Sequence, residues 1–448
     1  MLRQLENRIL GTLTDHERSV LRHGAAWFFL VLFGYYILRP IREQISATYG
    51  IRNLGWLFQA TFCTMLVAIP LYSLLVSKFH RRKLVPAIYA FFCVCLICFW
   101  AAMRYVPETT TVQQWLGWGG ETTIQEWVAR ILFIWISFYG LFVVSFFWSV
   151  VGDMLSTEQG RRIFGFVAGG GTAGGMLASL VATLMTERIG QANLLLFPAV
   201  LLVVALFVYF SLEHSWNKLR QAALETGSGR ATGGNPFAGF TAVFGSKYLF
   251  AICIYGLLLA TCGTTIYFQQ SEIVDQAYDT RESKTAFFAQ VNFWVQVVTL
   301  VLQTAVVGRL MKNFGLGITL AVLPVAYVLG ITSLALAPTL GVLAVISVTG
   351  RSAEYAIANP AREVLFTAVK REDRYKAKSF IDTIVRRGGD SAVGSVYGVL
   401  RETVGLAMTT LSWCVVPIAM GWAGLGLFIG RENKRVAARP KLDSEQSD

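Results

Sequence analysis

Residues 191–212 read QANLLLFPAVLLVVALFVYFSL, a run of 22 residues without a charged side chain. A transmembrane helix needs about 20 consecutive, mostly apolar residues, so this run is long enough to cross the hydrocarbon core of a bilayer. Comparable runs recur along the whole chain, which is 54% hydrophobic and only 15% charged. Because backbone that faces lipid must satisfy its own hydrogen bonds, the runs are predicted to be helices.

The apolar runs fall into two groups around one polar segment. We expect twelve spans, with centres near Leu32, Met65, Phe92, Tyr139, Gly174, Val203, Leu257, Val297, Pro324, Val348, Val393 and Ala419. The polar segment from Ser215 to Lys247 is rich in glycine between Glu225 and Asn235, which is typical of a flexible linker. The predicted fold class is an all-α integral membrane protein with twelve transmembrane helices in two six-helix halves.

The predicted segments are a cytoplasmic N-terminal segment 1–23, a first half 24–214, a cytoplasmic linker 215–247, a second half 248–430 and a cytoplasmic tail 431–448. With the N-terminus in the cytoplasm, 26 lysines and arginines lie on the cytoplasmic side, 7 on the opposite side and 6 within the spans. The positive-inside rule favours this arrangement, with both termini cytoplasmic. Residues 1–23 are polar and show no signal-peptide cleavage site. We therefore expect a multi-pass protein of the inner (cytoplasmic) membrane.

The same composition argues against several other classes of protein. Topology accounts for the net charge of +12, so nucleic acid is not an expected partner. All seven cysteines lie in apolar spans and the four histidines lie outside the spans or at their ends, which indicates neither disulfides nor a metal site. No nucleophile with an oriented base can be assembled, so we expect no catalytic residue, no cofactor and no enzymatic activity. The expected partners of this monomer are the lipid bilayer and a small-molecule anionic substrate.

Six arginines stand inside the apolar spans: Arg39, Arg42, Arg351, Arg362, Arg386 and Arg387. A cation at bilayer depth costs roughly 2.5 to 3.5 kcal/mol on insertion scales, so it is retained where it lines a cavity or has a partner. The planar guanidinium group binds phosphate or carboxylate through two parallel hydrogen bonds. The six arginines therefore predict a water-filled cavity that attracts anions.

Span one carries two of these arginines on one helical face, because Arg39 and Arg42 are three residues apart. Glu43 is the acid that stands beside them in the sequence. Tyr35 and Tyr36 come one turn earlier, where they either contact an aromatic group of the substrate or pack between helices.

Two further helical faces share an alternation of acids and arginines: Arg351, Glu354 and Arg362 on span ten, and Asp382, Arg386 and Asp390 on span eleven. At these spacings each charge is predicted to have a partner on its own span, and the two faces are expected to line one cavity. The alternative is a structural zipper of ion pairs that does not touch the substrate.

The candidate residues divide into two sets. The substrate-binding set comprises Tyr35, Tyr36, Arg39, Arg42, Asn292, Gln296, Arg351, Arg362 and Arg386. The coupling or gating set comprises the acids Glu43, Asp153, Glu354, Asp382 and Asp390, for which protons are one candidate coupling ion.

Glycines crowd the fifth span between Gly165 and Gly175. Small residues at helical spacing let two helices approach closely in lipid, so we predict tight packing of this span on a neighbour. A phosphate-binding loop is excluded, because no Lys-Ser or Lys-Thr pair follows the glycines and no strand precedes them.

Several short motifs resemble the ATP/ADP translocases of plastids and intracellular bacteria. They are Leu38-Arg39 with Arg42 and an adjacent acid, the stretch from Trp148 to Asp153 that leads into Glu158-Gln-Gly-Arg-Arg-Ile-Phe-Gly, and Lys376-Ala-Lys-Ser-Phe-Ile-Asp382 followed by Gly389-Asp-Ser. The resemblance implies a fold like that of major facilitator transporters and an exchange of nucleotides, with Arg42 and Asp153 at two functional positions. At two others this chain departs from the pattern, with Thr265 near the place of an acid and Asp390 in place of a lysine.

Three hypotheses for function follow from these patterns. The first is a secondary active transporter that moves an organic anion, phosphorylated or nucleotide-like, by alternating access, with either proton coupling or exchange. The second is a proton-coupled transporter of another solute, such as a peptide, a siderophore or a drug, in which the arginines mainly pair with acids. The third is a lipid flippase, which would need a lateral opening.

Overall fold

The computed structural model describes residues 15–113, 122–155, 157–222, 243–369, 377–378 and 380–445, without the side chains of residues 15–16, 51–53, 73, 153, 157–162, 215–222 and 437–445. The described residues are almost entirely helical, and the one β pairing among them is a bridge between Thr111 and Thr123. The predicted all-α membrane architecture is confirmed.

Twelve long helices account for most of the described residues. Those before the linker are α1 (Asp15–Thr48), α2 (Gly50–Lys78), α3 (Arg81–Tyr105), α4 (Ile124–Met154), α5 (Thr157–Ile189) and α6 (Leu196–Ala222). Those after it are α7 (Lys247–Ala277), α8 (Arg281–Val301), α9 (Val307–Leu336), α10 (Leu340–Ala353), α11 (Arg386–Gly398) and α12 (Met408–Glu445). Each predicted span centre lies in one of these helices.

Several helices after the linker are joined or extended by π-helical segments: Leu302–Val306 between α8 and α9, Glu354–Ala358 after α10, Ile381–Val385 before α11 and Val399–Thr403 after it. The chain then continues span ten as a helix over Asn359–Thr367. Residues 281–336 form one helical stretch of 56 residues. The chain changes direction within it at Gly315, whose φ of 75° is a left-handed conformation that glycine adopts without strain.

Ten of the described helical stretches are long and apolar enough to cross a membrane, with residues 281–336 counted as one. The turn at Gly315 divides that stretch into spans eight and nine. Span eleven is not among the ten, because the charged residues between Asp382 and Glu402 lower its hydropathy.

The chain forms two compact units. The first comprises Met1–Ile45, Val67–Thr232 and Thr280–Phe293, and the second comprises Ser46–Leu66, Gly233–Asp279 and Trp294–Asp448. Each unit therefore contains most of one predicted half together with a short segment from the other. The start of α8 belongs to the first unit, and the junction of α1 with α2 belongs to the second.

In the first unit, the glycine-rich helix α5 crosses α1 at backbone contact distance. A Cβ atom at Gly170 would stand 2.6 Å from the carbonyl oxygen of Ala25, and one at Gly174 would overlap the carbonyl oxygen of Phe29. The predicted tight packing of this span is thereby confirmed, and it fixes the helix that carries Arg39 and Arg42.

The variant Gly174→Ala should destabilise the protein by about 1–3 kcal/mol, the usual cost of overpacking, because the new methyl group meets backbone that cannot rotate away. Gly169→Ala is the matched control on the same helix, since a Cβ atom there meets nothing within 4 Å. Helix propensity alone makes that control neutral or stabilising. Thermal unfolding of the two purified variants measures the difference, and equal melting temperatures would contradict the close crossing.

In the second unit, glycines also permit one close helix crossing, where Gly317 of α9 meets Gly430 of α12. The helix α7 is largely enclosed, since 67% of its apolar stretch is buried inside the protein. Its polar side chains Thr264, Gln269 and Gln270 therefore lie inside the unit rather than towards lipid.

Candidate substrate site

Arg39 is held by two neighbours on α1. Its Nε lies 3.2 Å from Oε1 of Glu43, one turn later, and its Nη1 donates to the hydroxyl of Tyr36 at 3.5 Å. The side chain of Arg39 is 18% exposed and that of Glu43 only 4%. The pair is therefore formed at a largely enclosed position, where a charge needs its counterion.

Glu43 uses its second oxygen to contact α8. Its Oε2 accepts a hydrogen bond of 3.0 Å from Nδ2 of Asn292, which is fully buried. The carboxylate thus joins a guanidinium group on α1 to an amide 249 positions later in the chain. Both residues belong to the first unit.

Arg42 lies over an aromatic ring of α4. Its guanidinium carbon is 4.1 Å from the centroid of the fully buried Phe133, which is the geometry of a cation–π contact. Tyr35 lies against the same helix, because a Cβ atom at Gly140 would stand 2.6 Å from the Tyr35 ring. The structure therefore places Tyr35 in packing between helices, and Arg42 in contact with a π face.

The variant Arg42→Met should change the melting temperature little, because methionine keeps an apolar contact of the partly buried side chain with the Phe133 ring. Uptake of an anionic substrate, the first of the three hypotheses for function, should nevertheless fall about tenfold or more, the factor expected for one lost hydrogen bond to a charged group. Thermal unfolding and uptake into proteoliposomes measure the two effects. Uptake equal to that of the unchanged protein would remove Arg42 from the site.

The ion pairs of spans ten and eleven run between the two spans. Nη2 of Arg362 lies 2.8 Å from Oδ1 of Asp382, and Nη2 of Arg386 lies 2.8 Å from Oε1 of Glu354. The prediction of a partner on the same span is therefore wrong for Arg362 and Arg386, whose carboxylate contacts of 2.8 Å lie on the other span. The arginines of one span lie level with the acids of the other, so the shortest bonds cross between helices.

Asp390 extends this network towards α7. Its Oδ1 accepts a hydrogen bond of 3.0 Å from the hydroxyl of Thr264. Arg386 lies within electrostatic range of Glu354, Asp382 and Asp390. The second unit therefore contains one connected cluster that includes all three acids predicted on spans ten and eleven.

Both acids of the cross-span pairs lie in π-helical segments. Glu354 begins the segment Glu354–Ala358, and Asp382 lies in the segment Ile381–Val385. Single π-helical turns are rare and frequently occur at functional sites, since the extra residue changes the direction in which side chains point. This feature was not predicted from the sequence.

The other predicted residues have less specific surroundings. Gln296 of α8 is buried and Arg351 of α10 is partly buried. Asp153 belongs to α4, but its side chain lies outside the described residues. In the part of the chain that the structure describes, no group of three or more His, Cys, Asp or Glu side chains is arranged to hold a metal ion.

Two buried basic residues were not predicted as site candidates. Arg130 is 7% exposed on α4, and Lys284 is 5% exposed on α8. Arg130 lies 3.3 Å from Glu126 and 5.0 Å from the centroid of the Trp127 ring. The spacing of four residues between Glu126 and Arg130 was the available signal for an ion pair inside a helix.

Comparison with known proteins identifies the family of this sequence. The family model described as Major Facilitator Superfamily matches residues 25–368. The chain belongs to this superfamily. A major facilitator protein is a secondary transporter in a membrane, so the charged clusters lie in a protein whose function is to move a solute.

Solved major facilitator structures share the fold across nearly the whole chain. A POT family peptide transporter in an autoinhibited form matches with a TM-score of 0.63 at 11% identity, covering 92% of this chain and 97% of that one. A D-xylose-proton symporter matches with a TM-score of 0.61 at 13% identity, covering 94% and 97%. The nucleoside transporter NupG matches with a TM-score of 0.53 at 16% identity, covering 94% and 99%. No curated protein matches the sequence.

Proposed function

We propose that this major facilitator transporter moves an organic anion, phosphorylated or nucleotide-like, across the cytoplasmic membrane by alternating access. The observation that carries the proposal is a surplus of guanidinium groups at membrane depth. Spans ten and eleven hold four intramembrane arginines against the three acids of the network, and α1 holds two against Glu43. An anionic substrate would bring negative charge to this arginine-rich region, which a neutral solute would not do.

Arg362 offers a direct contact for such a substrate. It is 7% exposed, and its Nη2 bonds to Asp382. Its other terminal nitrogen, Nη1, makes no hydrogen bond within the described residues. Buried donors are nearly always satisfied, and a phosphate or carboxylate oxygen is the strongest acceptor for a guanidinium group.

The nucleotide-like part of the proposal rests on the resemblance to ATP/ADP translocases. The two positions at which this chain departs from that pattern are close together, because Thr264, next to Thr265, donates its hydroxyl proton to Asp390. The contact of Thr264 with Asp390 carries one more negative charge than a contact of an acid with a lysine. Support for a nucleotide-like substrate therefore comes from the two positions that keep the pattern, Arg42 and Asp153.

Coupling is assigned to the acids of the two clusters, which are Glu43, Glu354, Asp382 and Asp390, together with Asp153. A carboxylate that is released from an arginine by the incoming anion can take up a proton or remain charged until a counter-substrate arrives. The first behaviour gives proton symport and the second gives exchange.

A second candidate function is proton-coupled transport of another solute, such as a peptide, a siderophore or a drug. The observation that favours it is that Arg39, Arg362 and Arg386 each have a carboxylate partner within 2.8 to 3.2 Å. Such arginines would keep the acids in place and would not contact the solute.

Uptake into proteoliposomes distinguishes these functions. Nucleotides, sugar phosphates and peptides are offered with and without preloaded substrate, at two pH gradients. The proposal expects uptake of phosphorylated anions, and its loss in Arg362→Gln but not in the cytoplasmic control Arg309→Gln, whose side chain is exposed. Uptake of peptides alone, unaffected by Arg362→Gln, would overturn the anion proposal, and movement of a labelled lipid between leaflets would indicate a flippase.

A further inference from the structure

Several polar contacts join residues from the two sides of the linker, and three of them involve α1 or α2. Glu43 accepts from Asn292 at 3.0 Å within the first unit. Ser46 lies 2.9 Å from the hydroxyl of Ser271, and Gln59 donates to Ser395 at 2.7 Å, both within the second unit. All three contacts are formed by residues from the last turns of α1 or the first turns of α2.

The position of these contacts along the helices identifies the side of the membrane. The start of α1 at Asp15 is cytoplasmic in the predicted topology, so its last turns, which carry Glu43 and Ser46, lie at the outer side. Ser271 lies near the end of α7, which also starts from the cytoplasmic side at Lys247. In an alternating-access transporter the halves before and after the linker move relative to one another, so we expect a bond between their outer ends to break when the substrate site opens outwards.

Among the residues of these three contacts, Glu43 is the one that carries a charge. Its side chain is 4% exposed, with one oxygen on Arg39 and the other on Asn292. A buried carboxylate that loses its cation must reach water or another counterion, since uncompensated charge is strongly disfavoured in an enclosed position. One buried carboxylate is thus shared between the outer contact with Asn292 and the cation of Arg39.

We propose that Arg39, Glu43 and Asn292 form a latch in which the bond from Glu43 to Asn292 keeps the outer side closed, and that an anion on Arg39 loosens the latch. The inference rests on the proposed function for its trigger, but the latch itself depends on residues of the chain alone. An anion that binds Arg39 takes the cation away from Glu43. The carboxylate then gains by exposure to water, which requires that it leave Asn292.

The latch is tested by labelling a cysteine placed at the outer contact. Ser271→Cys is introduced into a variant without the native cysteines, and intact cells are treated with a membrane-impermeant maleimide. Ser271 is 1% exposed, so labelling should be slow while the outer side is closed. Addition of Asn292→Ala should accelerate labelling about 10- to 100-fold, the factor that one hydrogen bond to a charged group contributes.

A second set of variants tests whether closure of the outer side depends on the charges of Arg39 and Glu43. Arg39→Gln should accelerate labelling by a similar factor, and Arg39→Gln combined with Glu43→Gln should return it to the slow rate, because the neutral amide can stay on Asn292. The matched control is Asn433→Ala, which removes an amide hydrogen bond of 2.7 Å to Tyr248 near the cytoplasmic start of α7 and should leave labelling slow. Elution as a single species in size-exclusion chromatography establishes that each variant is folded.

Two results would overturn the latch: slow labelling in the folded Asn292→Ala variant, or labelling in the Arg39→Gln and Glu43→Gln double variant that stays as fast as in Arg39→Gln. If Asn292→Ala does not fold, Asn292→Asp replaces it, because two carboxylates in contact repel and should also accelerate labelling. These readouts need no ligand. Rapid labelling together with no preference for phosphorylated substrates would leave the latch in place and reject the anion proposal, and the reverse outcome would reject the latch alone.

Discussion

Anion transport should fall about 10- to 100-fold in Arg386→Gln, and it should stay low when Glu354 is neutralised in the same protein. The factor is that of one lost hydrogen bond to a charged group. The single change also leaves Glu354, whose side chain is 13% exposed, without the guanidinium 2.8 Å away. Breaking such a pair costs about 3–5 kcal/mol of stability, which removal of the second charge should largely recover.

The unchanged protein, the two single variants and the double variant together distinguish a residue that binds substrate from one that forms a structural ion pair. Thermal unfolding reports on the pair, and uptake into proteoliposomes reports on the substrate. The matched control is the ion pair of Arg401 with Glu272, which lies in the same unit and has the same side-chain exposures of 30% and 13%. Its double neutralisation to Arg401→Gln and Glu272→Gln should restore both stability and transport. Full transport in the Arg386→Gln and Glu354→Gln double variant would make that pair structural too.

Arg362→Lys should keep the fold and lose about 10- to 100-fold in transport, the factor for one lost hydrogen bond to a charged group. A lysine at this position can still pair with Asp382, which lies 2.8 Å from Nη2 in the present structure. The lysine ammonium group cannot also place a second donor where Nη1 lies, because it is a compact charge, whereas the guanidinium group holds several donors in one plane.

Thermal unfolding and the concentration dependence of uptake measure this effect. The matched control is Arg309→Lys, since Arg309 is exposed near the turn at Gly315. Equal uptake by Arg362→Lys and the unchanged protein would show that only the charge at this position is needed, and that Nη1 of Arg362 does not bind the substrate while Nη2 bonds to Asp382.

The helices could be predicted from the sequence because the apolar runs are long and the charges between them are few. The turn at Gly315 could be placed only approximately, since Arg309 and Lys312 separate the apolar runs of spans eight and nine in the sequence but lie on a helix that continues to Gly315. Arg130 and Lys284 were counted as outer charges because each stands at the margin of an apolar run. The burial of these two side chains depends on which helices pack around them. The spacing of residues along one helix does not contain that information.

The candidate residues could be found from the sequence, because a charged side chain inside an apolar span is energetically unfavourable. Their partners could not be found in this way. Helical spacing predicts neighbours on one helix, and it identified Glu43 beside Arg39. The partners of Arg362 and Arg386 lie across a helix boundary, and their identity depends on the relative height of two spans. The contact of Glu43 with Asn292 joins residues 249 positions apart, which no local pattern encodes.

The central claim is that the site recognises negative charge, and equilibrium binding to the purified protein tests it most directly. ADP is compared with adenosine, and glucose 6-phosphate with glucose, so that each pair differs by phosphate. At least one phosphate ester should bind about tenfold or more tightly than its neutral partner, the factor for one hydrogen bond to a charged group, and Arg362→Lys should reduce that preference. Equal affinity for the charged and neutral members of both pairs would contradict the account.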